Sequence, residues 1–112
     1  MQQTQLKQIT DTITESAKEL LGDKLHSIIL YGSYARGDFN EDSDVDIMIL
    51  ADIDDSEIWK IRNKMCEVTS DLALELDVLV SARIKSRQIF EKWVDTLPYY
   101  KNVRKDGVML YA

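Results

Sequence analysis

The chain has 112 residues, of which 45% are hydrophobic and 30% are charged. This length suits a single domain over residues 1–112 that is large enough to bury a core. No apolar run approaches the length of a membrane span and no signal-peptide pattern opens the chain, so we expect a soluble protein of the cytoplasm. The single cysteine, Cys66, excludes an internal disulfide.

The net charge of −6 is distributed unevenly along the chain. Residues 1–37 are balanced, residues 38–77 carry three basic and thirteen acidic side chains, and residues 78–112 carry seven basic and three acidic ones. The acidic middle part argues against nonspecific binding to nucleic acid, because phosphate contacts require clustered lysine and arginine. The basic last part could meet an acidic partner or a substrate phosphate, or could be a solvated surface.

The first predicted elements are an amphipathic helix and a buried strand. Apolar residues recur at helical spacing up to Gly22, a residue type that commonly ends helices. These apolar positions are Leu6, Ile9, Ile13, Ala17, Leu20 and Leu21. The short, branched apolar run that follows predicts a strand near residues 26–31, which stops at Gly32.

The turn after this strand has the composition of a phosphate-binding turn. Gly32 lets the backbone approach a ligand closely, and Ser33 offers a hydroxyl group. Residues 33–37 are predicted to form a short helix, whose free N–H groups attract anions. Arg36 adds a planar positive group that suits phosphate. Taken alone, a glycine–serine pair at a strand end can also be an ordinary turn.

A pair of carboxylates follows ten residues after Ser33. Asp44 and Asp46 lie at the start of a second predicted strand, near residues 45–50, whose apolar sequence indicates burial on both faces. Alternate strand residues share a face, so the two carboxylates lie about 6–7 Å apart along the chain. They can bind one or two Mg²⁺ ions, which prefer carboxylates together with substrate phosphates. The pair therefore indicates a nucleoside triphosphate, although a solvated loop is the alternative.

A third strand is predicted near residues 75–80, where charged and apolar residues alternate. Glu75 and Asp77 share one face of this strand. We choose Asp77 as the further ligand of a two-metal site, because its apolar neighbours make a charge costly unless a metal compensates it. Glu75 remains the alternative, since one residue pair of register separates the two.

The remaining predicted helices lie near residues 56–70 and 85–96. Together with the strands they give an αβαβαβα order, which indicates a small α/β fold. Pro98 is predicted to separate the last long helix from a tail segment. In that tail, Tyr99 and Tyr100 could lie at the edge of the core or at an interface.

Taken together, these features resemble the signature of the DNA polymerase β-like nucleotidyltransferase superfamily. The features are Gly32-Ser33, the ten-residue spacer, Asp44-Val45-Asp46 and a later strand aspartate, Asp77. The longer string over residues 32–37 with Ser43, and the C-terminal residues 99–108, resemble the minimal nucleotidyltransferases. These are the MntA-like antitoxins that accompany HEPN-domain toxins. The resemblance implies one nucleotidyltransferase domain with a small mixed sheet flanked by helices.

The resemblance also implies roles for the candidate residues. Asp44 and Asp46 would bind two Mg²⁺ ions, and Asp77 would complete the site as a metal ligand and candidate base. Gly32 and Ser33 would hold the β- and γ-phosphates of ATP. Arg36 would assist them.

Members of the group move AMP from ATP to a tyrosine hydroxyl of the partner toxin and release pyrophosphate. Because the chain has no room for the separate substrate-binding domain of larger transferases, we expect the acceptor to belong to another protein. The resemblance implies that this protein is a HEPN-domain toxin. Direct binding to nucleic acid or to a membrane is not expected. Two other functions stay open: an antitoxin that acts by contact alone, and a nucleotidyltransferase for a small molecule.

Overall fold

The computed structural model describes residues 3–40 and 42–112. The helices are α1 (Gln3–Leu21), α2 (Ser33–Arg36), α3 (Asp55–Leu76), α4 (Arg87–Trp93) and α5 (Pro98–Asp106), and the strands are β1 (Leu25–Tyr31), β2 (Val45–Ala51), β3 (Val80–Ser86) and β4 (Val108–Tyr111). A 3₁₀ turn at Gly22–Lys24 joins α1 to β1. The predicted αβαβαβα order is confirmed, and α5 and β4 extend it. Among the described residues, no helix is long and apolar enough to cross a membrane.

The four strands form one mixed sheet in the order β3-β2-β1-β4. β1 is antiparallel to both β2 and β4, whereas β2 and β3 are parallel. A parallel pair needs a long crossover, which α3 supplies with its 22 residues. The end of β1 and the start of β2 therefore meet, with Tyr31 paired to Asp46. We call this the Tyr31 end of the sheet.

Helices cover both faces of the sheet. On the first face, α1 and α3 pack against side chains such as Ile47, which is fully buried. On the second face, Met48 of β2 packs with Phe90 of α4 and Val103 of α5. Successive side chains of β2 alternate between the faces, which explains why its sequence is apolar from Ile47 to Ala51. Asp46, two residues before Met48, consequently lies on the second face.

The third strand begins later than the sequence predicts. The prediction of a strand near residues 75–80 is wrong, because α3 continues to Leu76 and β3 begins at Val80. Leu74 and Leu76 imitate the alternation of a strand, but helical spacing of the apolar residues decides the structure. The residues at this spacing that pack in the core are Met65, Val68, Leu72 and Leu76. Leu74 is correspondingly 86% exposed.

The chain after β3 also differs from the prediction. In place of one helix near residues 85–96, Lys85 and Ser86 end β3 and α4 spans Arg87–Trp93. Pro98 begins α5, where its missing N–H and fixed φ are tolerated in the first helical turn. The segment from Pro98 onward therefore forms a helix, α5, and a strand, β4. α5 lies next to the Tyr31 end of the sheet.

Candidate active site

The turn between β1 and α2 depends on Gly32. Its dihedral angles, φ 77° and ψ −156°, are ones that residues with a side chain rarely adopt. A Cβ atom at this position would lie 2.5 Å from Oδ2 of Asp46 and would overlap it. Glycine is thus required both for the turn and for the close approach of the carboxylate. The contact unites two motifs that are well separated in the sequence.

Backbone hydrogen bonds hold this turn in place. The carbonyl of Gly32 accepts a hydrogen bond from the N–H of Arg36 at 3.1 Å. The carbonyl of Ser33 accepts one from the N–H of Gly37 at 2.9 Å, and Gly37 ends α2 in the left-handed conformation with φ 83°. The amides of Ser33 and Tyr34 are the first of the helix, so they have no acceptor within it. These amides and the Ser33 hydroxyl are donors for an anion.

Asp46 is the second residue of β2 and lies on the second face, and Asp44 directly precedes the strand. Asp44 is exposed and Asp46 is half-buried. Burial raises the pKa of Asp46 above its ordinary value, and the charge of Asp44 raises it further. The charges of Arg83 and Arg36 act in the opposite direction. The net pKa of Asp46 is raised, so burial and Asp44 outweigh the two arginines. The ionised carboxylate is therefore not fully compensated, and a bound cation would supply the remaining positive charge.

Arg83 of β3 is a candidate site residue that the sequence includes only among the basic side chains of residues 78–112, without a place in the site. It pairs with Met48 across the parallel ladder, so its side chain shares the second face with Asp46. Its guanidinium is exposed, and its charge lowers the pKa of both Asp46 and Tyr31. Alternation along β3 could have revealed it, but the predicted strand ends at Val80 and leaves Arg83 outside.

A pocket of about 180 Å³ lies beside the Gly32 turn, between β1 and α5. Its lining residues are Tyr31, Gly32, Arg36, Tyr99, Asn102 and Val103. The hydroxyl oxygens of Tyr31 and Tyr99 are hydrogen-bonded at 2.6 Å, and their rings meet edge to face. Burial, followed by this hydrogen bond, raises the pKa of Tyr31 above its ordinary value.

Arg36 lies at the same pocket, and its side chain is partly committed to another residue. Its Nε donates a hydrogen bond to Oδ2 of Asp38 at 3.2 Å, and both side chains are exposed. An exposed ion pair of this kind contributes little to stability, so Arg36 can exchange Asp38 for a phosphate at small cost.

Asp77 does not join the carboxylate pair in this structure. It follows α3 in the left-handed conformation, with φ 53° and ψ 47°, and it is exposed. Glu75, the alternative, lies within α3 and accepts a hydrogen bond from Gln8 at 3.3 Å. Within residues 3–40 and 42–112, no three or more His, Cys, Asp or Glu side chains form a group that could hold a metal ion. The strand position expected for Asp77 is wrong, and its role stays a prediction.

Comparison with known proteins identifies the family of this chain. The sequence profile of the family described as nucleotidyltransferase domain matches residues 11–106, a range that contains both motifs. The chain belongs to the nucleotidyltransferase domain family. The family predicted from Gly32-Ser33 and Asp44-Val45-Asp46 is thereby confirmed.

Two similar proteins of this nucleotidyltransferase family come from Methanocaldococcus jannaschii. The one named "Putative protein adenylyltransferase MJ0141" is 36% identical over 96 residues, which cover 83% of this chain and 95% of the relative. The one named "Putative protein adenylyltransferase MJ0604" is 35% identical over 88 residues, which cover 79% of this chain and 80% of the relative.

Solved structures of nucleotidyltransferases share the fold. A structure described as a "putative minimal nucleotidyltransferase" has a TM-score of 0.61 at 18% identity, covering 96% of this chain and 95% of that one. A mutant of the toxin–antitoxin MntA-HpeT has a TM-score of 0.56 at 22% identity, covering 92% and 73%. A toxin–antitoxin with AMP-PNP has a TM-score of 0.53 at 25% identity, again covering 92% and 73%. The predicted small mixed sheet flanked by helices is confirmed.

Proposed function

We propose that this nucleotidyltransferase transfers AMP from ATP to a tyrosine of a cognate HEPN-domain toxin and so acts as its antitoxin. The observation that carries the proposal is the contact between Gly32 and the carboxylate of Asp46. It makes the glycine–serine turn and the carboxylate pair one continuous surface. A triphosphate bound with Mg²⁺ requires such a surface, since its phosphates need N–H donors and its metal needs carboxylates.

The similar proteins support both halves of this proposal. The two Methanocaldococcus jannaschii relatives both carry the words "Putative protein adenylyltransferase" in their names. These names support AMP as the group transferred and a protein as the acceptor. The toxin–antitoxin with AMP-PNP supports an ATP-like nucleotide and a toxin partner. The tyrosine acceptor and the HEPN class of the toxin rest on the resemblance to MntA-like antitoxins.

The carboxylates of the site fit Mg²⁺. Asp44 and Asp46 would hold the ion, because a hard cation prefers carboxylate oxygens and Arg83 and Arg36 only partly offset the raised pKa of Asp46. We propose Asp77 as the third carboxylate of a site for two ions. The N–H of Val45 donates to the carbonyl of Leu79 at 2.9 Å, so the segment that contains Asp77 passes beside the start of β2.

The residues of the chain would then bind and orient ATP for an in-line attack. Mg²⁺, when bound, would neutralise charge on the triphosphate and lower the pKa of the attacking hydroxyl. Gly32 and Ser33 would hold the β- and γ-phosphates. Arg36 and Arg83 would add positive charge where negative charge develops on the departing pyrophosphate. Asp77 would accept the proton of the acceptor hydroxyl.

The proposal is tested by a transfer assay with ATP labelled on the α-phosphate, Mg²⁺ and the purified cognate toxin. The double variant Asp44→Ala/Asp46→Ala is compared with Asp11→Ala/Asp71→Ala. The control variant removes the same two charges from α1 and α3, which cover the opposite face of the sheet. We expect label on a toxin tyrosine with the parent protein and the control, and none with the site variant.

Two outcomes would replace the proposal. A stable complex with the toxin that forms without label, and that still protects cells when both aspartates are alanine, would establish an antitoxin acting by contact alone. Turnover of ATP onto a small hydroxyl compound, with no protein acceptor, would establish a small-molecule nucleotidyltransferase.

A further inference from the structure

Tyr99 brings a phenol hydroxyl to the wall of the candidate active site. It lies in the first turn of α5, directly after Pro98, and its side chain is 43% exposed. Its Oη is hydrogen-bonded to Oη of Tyr31 at 2.6 Å, which holds the exposed ring in one orientation. The ring also contacts those of Tyr31 and Tyr100 edge to face. An exposed tyrosine is thus fixed by three contacts, and its hydroxyl is directed to the sheet.

The pocket beneath this hydroxyl is continuous with the surface proposed to bind ATP. Gly32 and Arg36 line it together with Tyr99. Asp46 contacts the Gly32 turn and is paired with Tyr31 in the ladder between β1 and β2. The phenol therefore lies beside the turn and Arg36, and it is hydrogen-bonded to the strand neighbour of Asp46.

The other tyrosines of the chain do not combine exposure with this position. The chain has five tyrosines, all within the described residues. Tyr34 is buried in the core, and Tyr100 packs against the core of the second face. Tyr111 lies in β4 under the ammonium of Lys18. Tyr31 lines the pocket but is half-buried as the last residue of β1.

We propose that Tyr99 is an acceptor of the adenylyl group within its own chain, so that the protein modifies itself. The inference rests on the proposed function and adds a second acceptor to it. In this step Oη of Tyr99 attacks the α-phosphorus of ATP and forms a phosphodiester bond. The bond between the α-phosphorus and the α,β-bridging oxygen breaks, and pyrophosphate leaves with its electron pair. The phenol proton passes to water. No oxidant or further reactant is needed.

The occupied state of the pocket has a direct consequence for the toxin reaction. An adenylyl group on Tyr99 would lie at the opening through which an acceptor reaches the carboxylate pair. Self-modification would therefore slow transfer of AMP to the partner. AMP on Tyr99 would mark the molecules that had bound ATP while no toxin was present.

The test is incubation of the purified protein with Mg²⁺ and ATP labelled on the α-phosphate, without any partner. The parent protein is compared with Tyr99→Phe and Tyr100→Phe, which each remove one hydroxyl from neighbouring positions of α5. We expect covalent label on the parent and on Tyr100→Phe, and background label on Tyr99→Phe. Peptide mass spectrometry is expected to locate one AMP on Tyr99. Label that persists in Tyr99→Phe, or that maps to another residue, overturns the assignment.

Dilution of the protein tests whether the transfer is intramolecular. We expect the label per chain at a fixed time to be independent of protein concentration. Label per chain that rises with concentration overturns transfer within one molecule.

The same preparation, with the toxin added, separates failure of this inference from failure of the proposed function. Labelled toxin with unlabelled Tyr99 overturns the inference and leaves the proposed function intact. Labelled Tyr99 in the parent, with toxin that stays unlabelled even when Tyr99→Phe is the enzyme, supports the inference and contradicts the toxin as acceptor. Absence of label on both, with a folded protein and a cognate partner, overturns both.

Discussion

The carboxylate of Asp46 occupies the space that a side chain at Gly32 would need, with Oδ2 2.5 Å from the position of the missing Cβ. A residue of β2 is thereby in contact with the turn that follows β1. A side chain introduced at position 32 would therefore be unfavourable for two reasons: the backbone has a positive φ, and the carboxylate of Asp46 would be displaced. The two contributions can be separated because the chain offers a second glycine with a positive φ.

We expect Gly32→Ala to lower the free energy of unfolding by about 2–5 kcal/mol, from backbone strain together with the overlap with Asp46. Gly37→Ala is the control, since Gly37 has φ 83° but nothing within 4 Å of its Cβ position. Its cost should be that of the left-handed conformation, about 1–2 kcal/mol. Urea denaturation measures both. Equal costs would show that the contact with Asp46 adds nothing.

The same pair of variants is expected to differ in activity. Gly32→Ala displaces the Asp46 carboxylate, so AMP transfer should be lost while the protein remains folded at low temperature. Gly37→Ala, at the far end of α2, should retain transfer. If Gly32→Ala transfers AMP at the parent rate, Gly32 is only a turn residue.

The stability of the metal-free protein is expected to depend on the protonation of Asp46. Its pKa is raised on folding, so the folded state holds this proton more tightly than the unfolded state. Its contribution to stability is therefore full below the unfolded pKa, about 3.9, and is lost as the pH rises through the folded pKa. At pH 7 Asp46→Asn removes the penalty of the buried charge, and its denaturation midpoint should exceed that of the parent.

Two comparisons check this interpretation of Asp46. Asp44→Asn changes an exposed carboxylate and should shift the midpoint less. Added Mg²⁺ should raise the midpoint of the parent more than that of Asp46→Asn. A lower midpoint for Asp46→Asn at pH 7 without metal would show that the surrounding arginines already compensate the charge.

Arg83 is expected to contribute to nucleotide binding. Arg83→Gln should raise KM for ATP about tenfold or more, because a hydrogen bond to a charged group contributes about 1.5–3 kcal/mol. Lys85→Gln is the control, since Lys85 shares the strand and the face with Arg83 but lies further from Asp46 along β3. Steady-state kinetics with the toxin as acceptor measure both. Equal KM values for the two variants would remove Arg83 from the site.

The corrected boundary of α3 can be tested by its leucines. Leu72 is buried, and Leu72→Ala is expected to cost about 2–5 kcal/mol of unfolding free energy. Leu74 is exposed on the helix, and Leu74→Ala should change this free energy by no more than about 0.5 kcal/mol. A large cost at Leu74 would instead support a strand that begins before Asp77.

The elements that carry the two motifs were predictable because their signals are local. Burial of β2 on both faces gives an uninterrupted apolar run, and Gly32 marks the end of β1. The position of Asp77 was not predictable, because the alternation of Leu74 and Leu76 indicates a strand whereas the spacing of Leu72 and Leu76 indicates a helix. Only the packing of α3 on the sheet decides between them.

Contacts between residues of different helices and strands could not be predicted from the sequence either. The pairing of Arg83 with Met48 depends on the register between β2 and β3, which a single sequence does not state. The hydrogen bond between Tyr31 and Tyr99 joins residues 68 positions apart and exists because α5 folds back over the end of β1. Both add groups to a candidate site whose central motifs were evident from their spacing.

The coverage of the sheet imposes an order on the two substrates. α1 and α3 close the first face, so ATP and the acceptor must both reach Asp46 from the side of α4 and α5. Asp46 is half-buried, whereas Tyr99, in the first turn of α5, is exposed. In the proposed reaction ATP has to reach Asp46, and an acceptor that is bound first beside Tyr99 would block its entry. We therefore expect sequential kinetics with ATP as the leading substrate, and competition by the acceptor against ATP when the acceptor is in excess.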